Sequence, residues 1–152
     1  MIIRPLDPED PAAERFIGQL DAYQIALYPP ESNHLESIAA LKRPNVAMFG
    51  GYLGDELVAC GAVKFMDDDG RYVEVKRVFV PQGYRGRGLA QAIMAHLEAH
   101  ALRQGVTVAR LETGVRQPEA LRLYEKLGYT YREPFGRYRV DPLSVFMEKR
   151  LA

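Results

Sequence analysis

Apolar residues recur along this chain with two different periods, and the changeovers between the periods outline its elements. Three runs rich in β-branched and aromatic residues, Val46 to Leu53, Leu57 to Phe65 and Tyr72 to Val80, are separated by Gly54-Asp55-Glu56 and by Asp67-Asp68-Asp69-Gly70. Short strands joined by such turns predict an antiparallel meander. Upstream, Met1 to Pro5 reads as a strand. Asp10-Pro11 then supplies a helix N-cap with proline at the first helical position, and Phe16, Ile17, Leu20, Tyr23 and Leu27 follow at helical spacing. The prolines of "YPPESN" end that helix, and a short helical turn is expected between His34 and Leu41.

Downstream of Gly88 the period is helical again. Ala90, Ile93, Met94, Leu97 and Ala101 share one face, and Gly105 is the expected stop. "VTVARLET" predicts a strand, Pro118 to Leu127 a helix burying Ala120, Leu123, Tyr124 and Leu127, and "LSVFMEKRL" a closing strand. The order β-α-(α)-β-β-β-α-β-α-β indicates an α+β fold, a mixed and mostly antiparallel sheet flanked by helices in a single domain.

Composition narrows the function classes. At 152 residues the chain fits one domain, and Lys+Arg and Asp+Glu stand equal at 20 each, so no global field draws it to nucleic acid or anionic membrane. The single cysteine, Cys60, excludes an internal disulfide and a cysteine-based zinc site, which fits a reducing compartment. No apolar run approaches the ~20 residues of a membrane span, and the acidic, proline-rich start is unlike a signal peptide. A cytoplasmic location is expected.

The stretch "VPQGYRGRGLAQAI" carries the candidate chemistry. A strand hands over to a helix through Gly83, Gly86 and Gly88, with Arg85 and Arg87 between them. The first turn of a helix has unpaired N–H groups and the positive end of the helix dipole, so this arrangement suits a phosphate. Glycine-rich turns also serve packing alone. A Walker A loop requires Gly-Lys-Ser/Thr where Gly88 is followed by Leu89, and the Rossmann order Gly-x-Gly-x-x-Gly is absent, so neither nucleotide reading holds.

Residues Arg85-Gly86-Arg87-Gly88-Leu89-Ala90 resemble the Arg/Gln-x-x-Gly-x-Gly/Ala motif with which the GNAT superfamily of N-acetyltransferases binds acetyl-CoA. A second match lies in "PEALRLYEKLGY", where Ala120, Leu123, Tyr124, Gly128 and Tyr129 fit the superfamily's Ala-x-x-Leu-Tyr-x-x-x-Gly-Phe/Tyr helix. The resemblance implies one GNAT-like domain over residues 1–152. Within it, residues 46–151 form the acetyl-CoA-binding core and residues 1–45 a variable acceptor-side region. It also implies transfer of the acetyl group of acetyl-CoA, as co-substrate and without a metal, to a primary amine of a small molecule or peptide. The loop residues Arg85 to Ala90 would hold the pyrophosphate. Val78, Phe79 and Val80 would align pantetheine through their backbone. Gln117 stands where the family often has an asparagine that contacts the coenzyme. Domains of this family often pair, which leaves a homodimer open. An inert acyl-CoA-binding sensor or scaffold is the alternative.

An alkyl ammonium, with pKa near ~10.4, must lose a proton before it attacks. Tyr124, at the family's tyrosine position, is the candidate acid for the leaving thiolate, and a core tyrosine is the other reading. Glu74 is the candidate base, against a plain Glu74–Lys76 surface pair or a relayed water. Period two places Tyr72, Glu74, Lys76, Val78 and Val80 on one face. Four features point less far. His96 and His100 share a helix face without the Glu of a zincin, so a solvated face is expected. Asp67 to Asp69 read as a hairpin tip. Arg132, Arg137 and Arg139 lack a nucleic-acid motif, and either a place beside the acceptor site or no role is expected of them. Tyr28, Glu31, Ser32 and His34 form a polar loop that could line an acceptor pocket.

Overall fold

A computed structural model describes all 152 residues. One seven-stranded sheet organises them. Its strands are β1 (Ile2–Pro5), β2 (Val46–Leu53), β3 (Glu56–Met66), β4 (Tyr72–Phe79), β5 (Val108–Gly114), β6 (Thr130–Arg132) and β7 (Ser144–Arg150), in the order β1-β2-β3-β4-β5-β7-β6. Every neighbouring pair is antiparallel except β4 and β5. That exception has its origin in the chain path: β4 and β5 are joined by α3 (Leu89–Arg103), and a helix crossover returns the chain parallel.

The other helices are α1 (Pro11–Leu27), α2 (Ile38–Leu41) and α4 (Pro118–Lys126). Asp10 caps α1 by accepting the N–H of Ala12 at 3.0 Å, with Pro11 just inside, as its sequence predicts. The expected turn from His34 to Leu41 shrinks to α2, started by Ser37, whose hydroxyl accepts from Ala40 N–H at 3.1 Å. Strand β6 has no counterpart in the hydrophobic pattern. At three residues, with Thr130 and Tyr131 exposed, it is too short to display a period.

Each face of the sheet is covered. On one side Ile93, Met94, Leu97 and Ala101 of α3 pack fully buried against Ala59, Val63, Val73 and Leu111 of the strands. On the other, Ala13, Phe16, Ile17 and Leu20 of α1 meet Met48, Cys60, Ala62 and Phe79. Alternation along β3 thus sends Ala59 and Val63 to one core, and Cys60 and Ala62 to the other. Each fully buried Ile, Leu or Met contributes on the order of 2 kcal/mol.

Strand β4 departs from regularity in two places. First, Ala62 pairs with Lys76 but Cys60 with Phe79, so three steps on β4 oppose two on β3. Arg77 sits in this bulge with φ of 58°, the one non-glycine residue of the chain with positive φ. Second, β4 and β5 pair only from Val73–Ala109 to Val75–Leu111, although β4 runs on to Phe79 and β5 to Gly114. Beyond Val75 the two parallel strands diverge, and the β5-facing edge of β4 is left without a strand partner.

Candidate active site

The bulge corrects one expectation directly. Tyr72, Glu74 and Lys76 share the α1 side of the sheet, but the inserted residue reverses the alternation. Val78 and Val80 therefore join the α3-side core, while Phe79 turns to α1, where its ring meets Phe16 at 5.4 Å and Tyr23 at 6.3 Å. Period two fails at Arg77 because two successive residues of a bulge face the same way. The side chain of Arg77 is 5% exposed and ion-paired to Asp21.

The gap between the diverging strands opens on both sides. Toward α3 and α4 lies an apolar cleft of about 320 Å³, floored by Val78, Phe79 and Val80 and closed by the loop from Tyr84 to Ala90. In that loop Gly86 has φ of 79° and Gly88 φ of 75°, left-handed conformations in which glycine avoids strain. A side chain at either position would meet open space, so it is the backbone shape that requires glycine there. Gly88 is the N-cap of α3, with no side chain capping the helix and no acid in its first turn. By contrast α1 and α4 carry Glu14 and Glu119 in their first turns. A fifteen-residue helix thus presents an electropositive, uncapped end to the cleft. Arg85 faces the same cleft, its Nε donating to Val80 O at 3.0 Å and its guanidinium stacked on Tyr23 at 5.1 Å. Arg87 stacks on Tyr84 instead, at 5.3 Å, and does not line the cleft.

Toward α1 lies a smaller, polar cleft of about 110 Å³, walled by Gln24, Tyr28, Ser32 and His34 from the first part of the chain and by Glu74, Lys76, Glu112 and Tyr138 from the rest. Leu20, Val78, Gln117, Ala120 and Tyr124 border both clefts, so the two meet at Tyr124. This phenol is 8% exposed; burial, reinforced by the charge of Glu112, pushes its pKa up to about 12. It keeps its proton across the physiological range and is available as a donor. Gln117 sits at the head of α4 and borders both clefts, its Oε1 accepting from Tyr28 Oη at 3.1 Å. Tyr28 also accepts the N–H of Arg116 at 3.1 Å and lies so close over Gly114 that a Cβ there would meet its oxygen at 1.8 Å.

Glu74 is 5% exposed and is no surface residue. Its Oε2 accepts from Lys76 Nζ at 3.1 Å and from the hydroxyl of Tyr138, while Lys76 also reaches Glu36 at 2.9 Å. A second carboxylate, Glu112 on β5, lines the same cleft and was not singled out from the sequence. Burial raises its pKa to about 7; Ser144 and Lys76 offset this in part and Glu74 adds to it. The available signal was its position two residues from Arg110 in the otherwise apolar strand "VARLETG".

Of the features set aside in the sequence, His96 and His100 prove half-buried, their rings on Phe49 at 4.5 and 5.2 Å, where a solvated face was expected. No cluster of three or more His, Cys, Asp or Glu side chains is arranged to hold a metal ion. The hairpin tip is tied down by Asp69 to Arg110 at 3.1 Å and by Tyr72 donating to Asp68 at 2.6 Å. No helix is long and apolar enough to cross a membrane.

Comparison with known proteins decides the family. Residues 13–129 match the model of the acetyltransferase (GNAT) family. The chain belongs to the GNAT acetyltransferases. An Azospirillum brasilense protein named IAA acetyltransferase is 40% identical over 144 residues, covering 95% of this chain and 94% of its own length. A candidate acyl-CoA N-acyltransferase of known structure from Klebsiella pneumoniae is 34% identical, with a TM-score of 0.82 over 99% of this chain and 97% of that one. The aminoglycoside 6'-N-acetyltransferase of Enterococcus faecium shares the fold at 18% identity, with a TM-score of 0.72 over 100% of this chain and 98% of its own. This GNAT protein is accordingly an acyl-CoA-dependent acetyltransferase acting on amine acceptors, with acetyl-CoA as co-substrate.

Proposed function

We propose that this GNAT enzyme binds acetyl-CoA in the α3-side cleft and a primary amine in the polar cleft, and joins them at Tyr124 in one ternary complex. The observation that carries the reading is the meeting of the two clefts at a buried, protonated phenol. The uncapped start of α3, with Arg85 beside it, would hold the pyrophosphate, Arg87 adding charge from outside the cleft. The backbone from Val78 to Val80, past the point where β4 stops pairing with β5, would align pantetheine and offer an N–H donor to the carbonyl oxygen as it becomes an oxyanion. Leu89 and Ala90 would complete the loop, and the N–H₂ of Gln117 would meet the coenzyme.

In the reaction the amine nitrogen forms a bond to the acetyl carbon and the carbon–sulfur bond breaks. The amine gives up a proton to a carboxylate, and the departing thiolate is met by the hydroxyl of Tyr124. Glu74 is the base in this reading, directly or through a water. A second assignment, to Glu112, is favoured by a specific observation: Glu74 is already engaged by Lys76 and Tyr138, whereas burial tunes Glu112 to the pH at which the enzyme would work. Both walls of the site come from one chain, so the mechanism does not call on a dimer. The reduced, buried Cys60 suits a cytoplasmic setting.

The test is release of free thiol from acetyl-CoA across a panel of amines, alongside melting with and without coenzyme A. Thiol release that depends on an added amine is expected. Stabilisation by coenzyme A without release for any amine would instead identify an inert sensor. The pH profiles of Glu74→Gln and Glu112→Gln then assign the base: the variant that loses the acid limb of the profile has lost it.

A further inference from the structure

The polar cleft does not end at Glu74. His34, Glu74, Lys76 and Tyr138 also border a wider groove, of about 790 Å³, between the β3–β4 hairpin, the segment before α2 and the loop from Gly136 to Asp141. Its charges are unequally occupied. Of its five carboxylates, Glu36 and Glu74 are bound to Lys76 at 2.9 and 3.1 Å, Asp68 accepts from Tyr72 at 2.6 Å, and Asp141 accepts from Ser32 at 2.7 Å. Only Glu36 and Glu74 are ion-paired; Asp68 and Asp141 bond to neutral hydroxyls and keep their charge, and Glu31 has no partner. Its cations stand the other way. Lys76 is paired, but Arg43, Lys64, Arg137 and Arg139 make no ion pair and no side-chain hydrogen bond. Five cations thus line the groove with five carboxylates and its net charge is near zero, but four of the cations have no ion pair, and two of these are the guanidinium groups of Arg137 and Arg139.

Unpaired guanidinium groups there attract an acceptor that carries a negative group on the side away from the reacting nitrogen. Guanidinium groups match carboxylates in a two-pronged geometry, and two of them, Arg137 and Arg139, lie on one loop. We infer that the acceptor is a primary amine that also carries a carboxylate, an amino acid or the end of a peptide. Its amine enters the polar cleft beside Glu74, and its carboxylate lies against Arg137 and Arg139 in the groove. The inference rests on the acetyltransferase function proposed for the two clefts and narrows its substrate class.

Matched acceptors test it. The full-length protein with acetyl-CoA is given an amino acid, the amide of the same amino acid, the amine left on its decarboxylation, and a short peptide bearing the same side chain and a free carboxylate. The expected result is a kcat/KM at least tenfold higher for a carboxylate-bearing member than for its amide and its decarboxylated partner. Whether the free amino acid or the peptide leads tells the source of the carboxylate. The double variant Arg137→Ala/Arg139→Ala should erase most of that preference by raising KM for the carboxylate member. Its melting shift with coenzyme A should stay unchanged, because the two arginines lie away from the coenzyme cleft. Equal or better use of the amide or the decarboxylated amine overturns the inference while leaving the acetyltransferase intact. Absence of thiol release for every member, with coenzyme A still bound, overturns the acetyltransferase reading and the inference with it.

Discussion

Substituting Glu112 by glutamine separates what this carboxylate does for chemistry from what it costs the fold. Its pKa rises from an ordinary 4.5 to about 7 because burial strips water from its charged form. At ~1.4 kcal/mol per pH unit, ionised Glu112 weighs against the folded state by on the order of 3 kcal/mol. Glu112 is not fully buried, and solvent screens part of its charge, so about 2 kcal/mol is the expected net effect. The sign is set by which state holds the proton. The folded chain keeps it between the two pKa values while the unfolded chain has released it. The penalty is therefore absent below 4.5, grows as pH rises through this window, and is complete above 7. Glutamine has nothing to ionise. In thermal melts of wild type and variant at pH 4.5 and pH 8, the variant should gain about 4–8 °C at pH 8 and little at pH 4.5. A gain of equal size at both pH values, or a loss at pH 8, would refute a buried, uncompensated charge. On the assignment of the base to Glu112, activity should move the opposite way, since a site that strains the fold to tune a base gives stability back when that base is removed.

Two further substitutions probe other parts of the site. Tyr124→Phe should lower kcat by on the order of 10²-fold with little change in the KM for acetyl-CoA; unchanged turnover between pH 7 and 9 would take the phenol out of the mechanism. Gly114→Ala should push Tyr28 from its seat, breaking its bonds to Gln117 and Arg116 and costing about 1–3 kcal/mol in a denaturant melt. An unmoved midpoint would show that the ring can step aside freely.

The elements most visible in the sequence are those whose burial alternates in register with one core. Helix α3 displays its buried face at regular spacing, and Asp10-Pro11 marks the start of α1 because capping is a local interaction. The glycine–arginine loop was legible because left-handed backbone restricts residue choice at Gly86 and Gly88. What stayed hidden depends on pairing across distance. The bulge at Arg77 is set by the register between β3 and β4, and no local feature of "EVKRVF" announces it. Glu112 gains its raised pKa from burial by the fold and from the charges of Glu74 and Asp141, far along the chain, so its strand sequence alone cannot reveal it. Likewise Tyr138 reaches Glu74 across 64 positions, and the occupancy of the groove's carboxylates depends on contacts of that kind.

The single extra residue at Arg77 makes one ribbon of backbone serve two masters. Upstream of it, side chains at 72, 74 and 76 look toward the polar cleft and its groove; downstream, those at 78 and 80 look toward the apolar cleft. With acceptor and coenzyme placed as proposed, acceptor preference can therefore drift through changes at the first three positions while the grip on the thioester stays untouched. Deleting Arg77 would transpose the two halves and forfeit both at once.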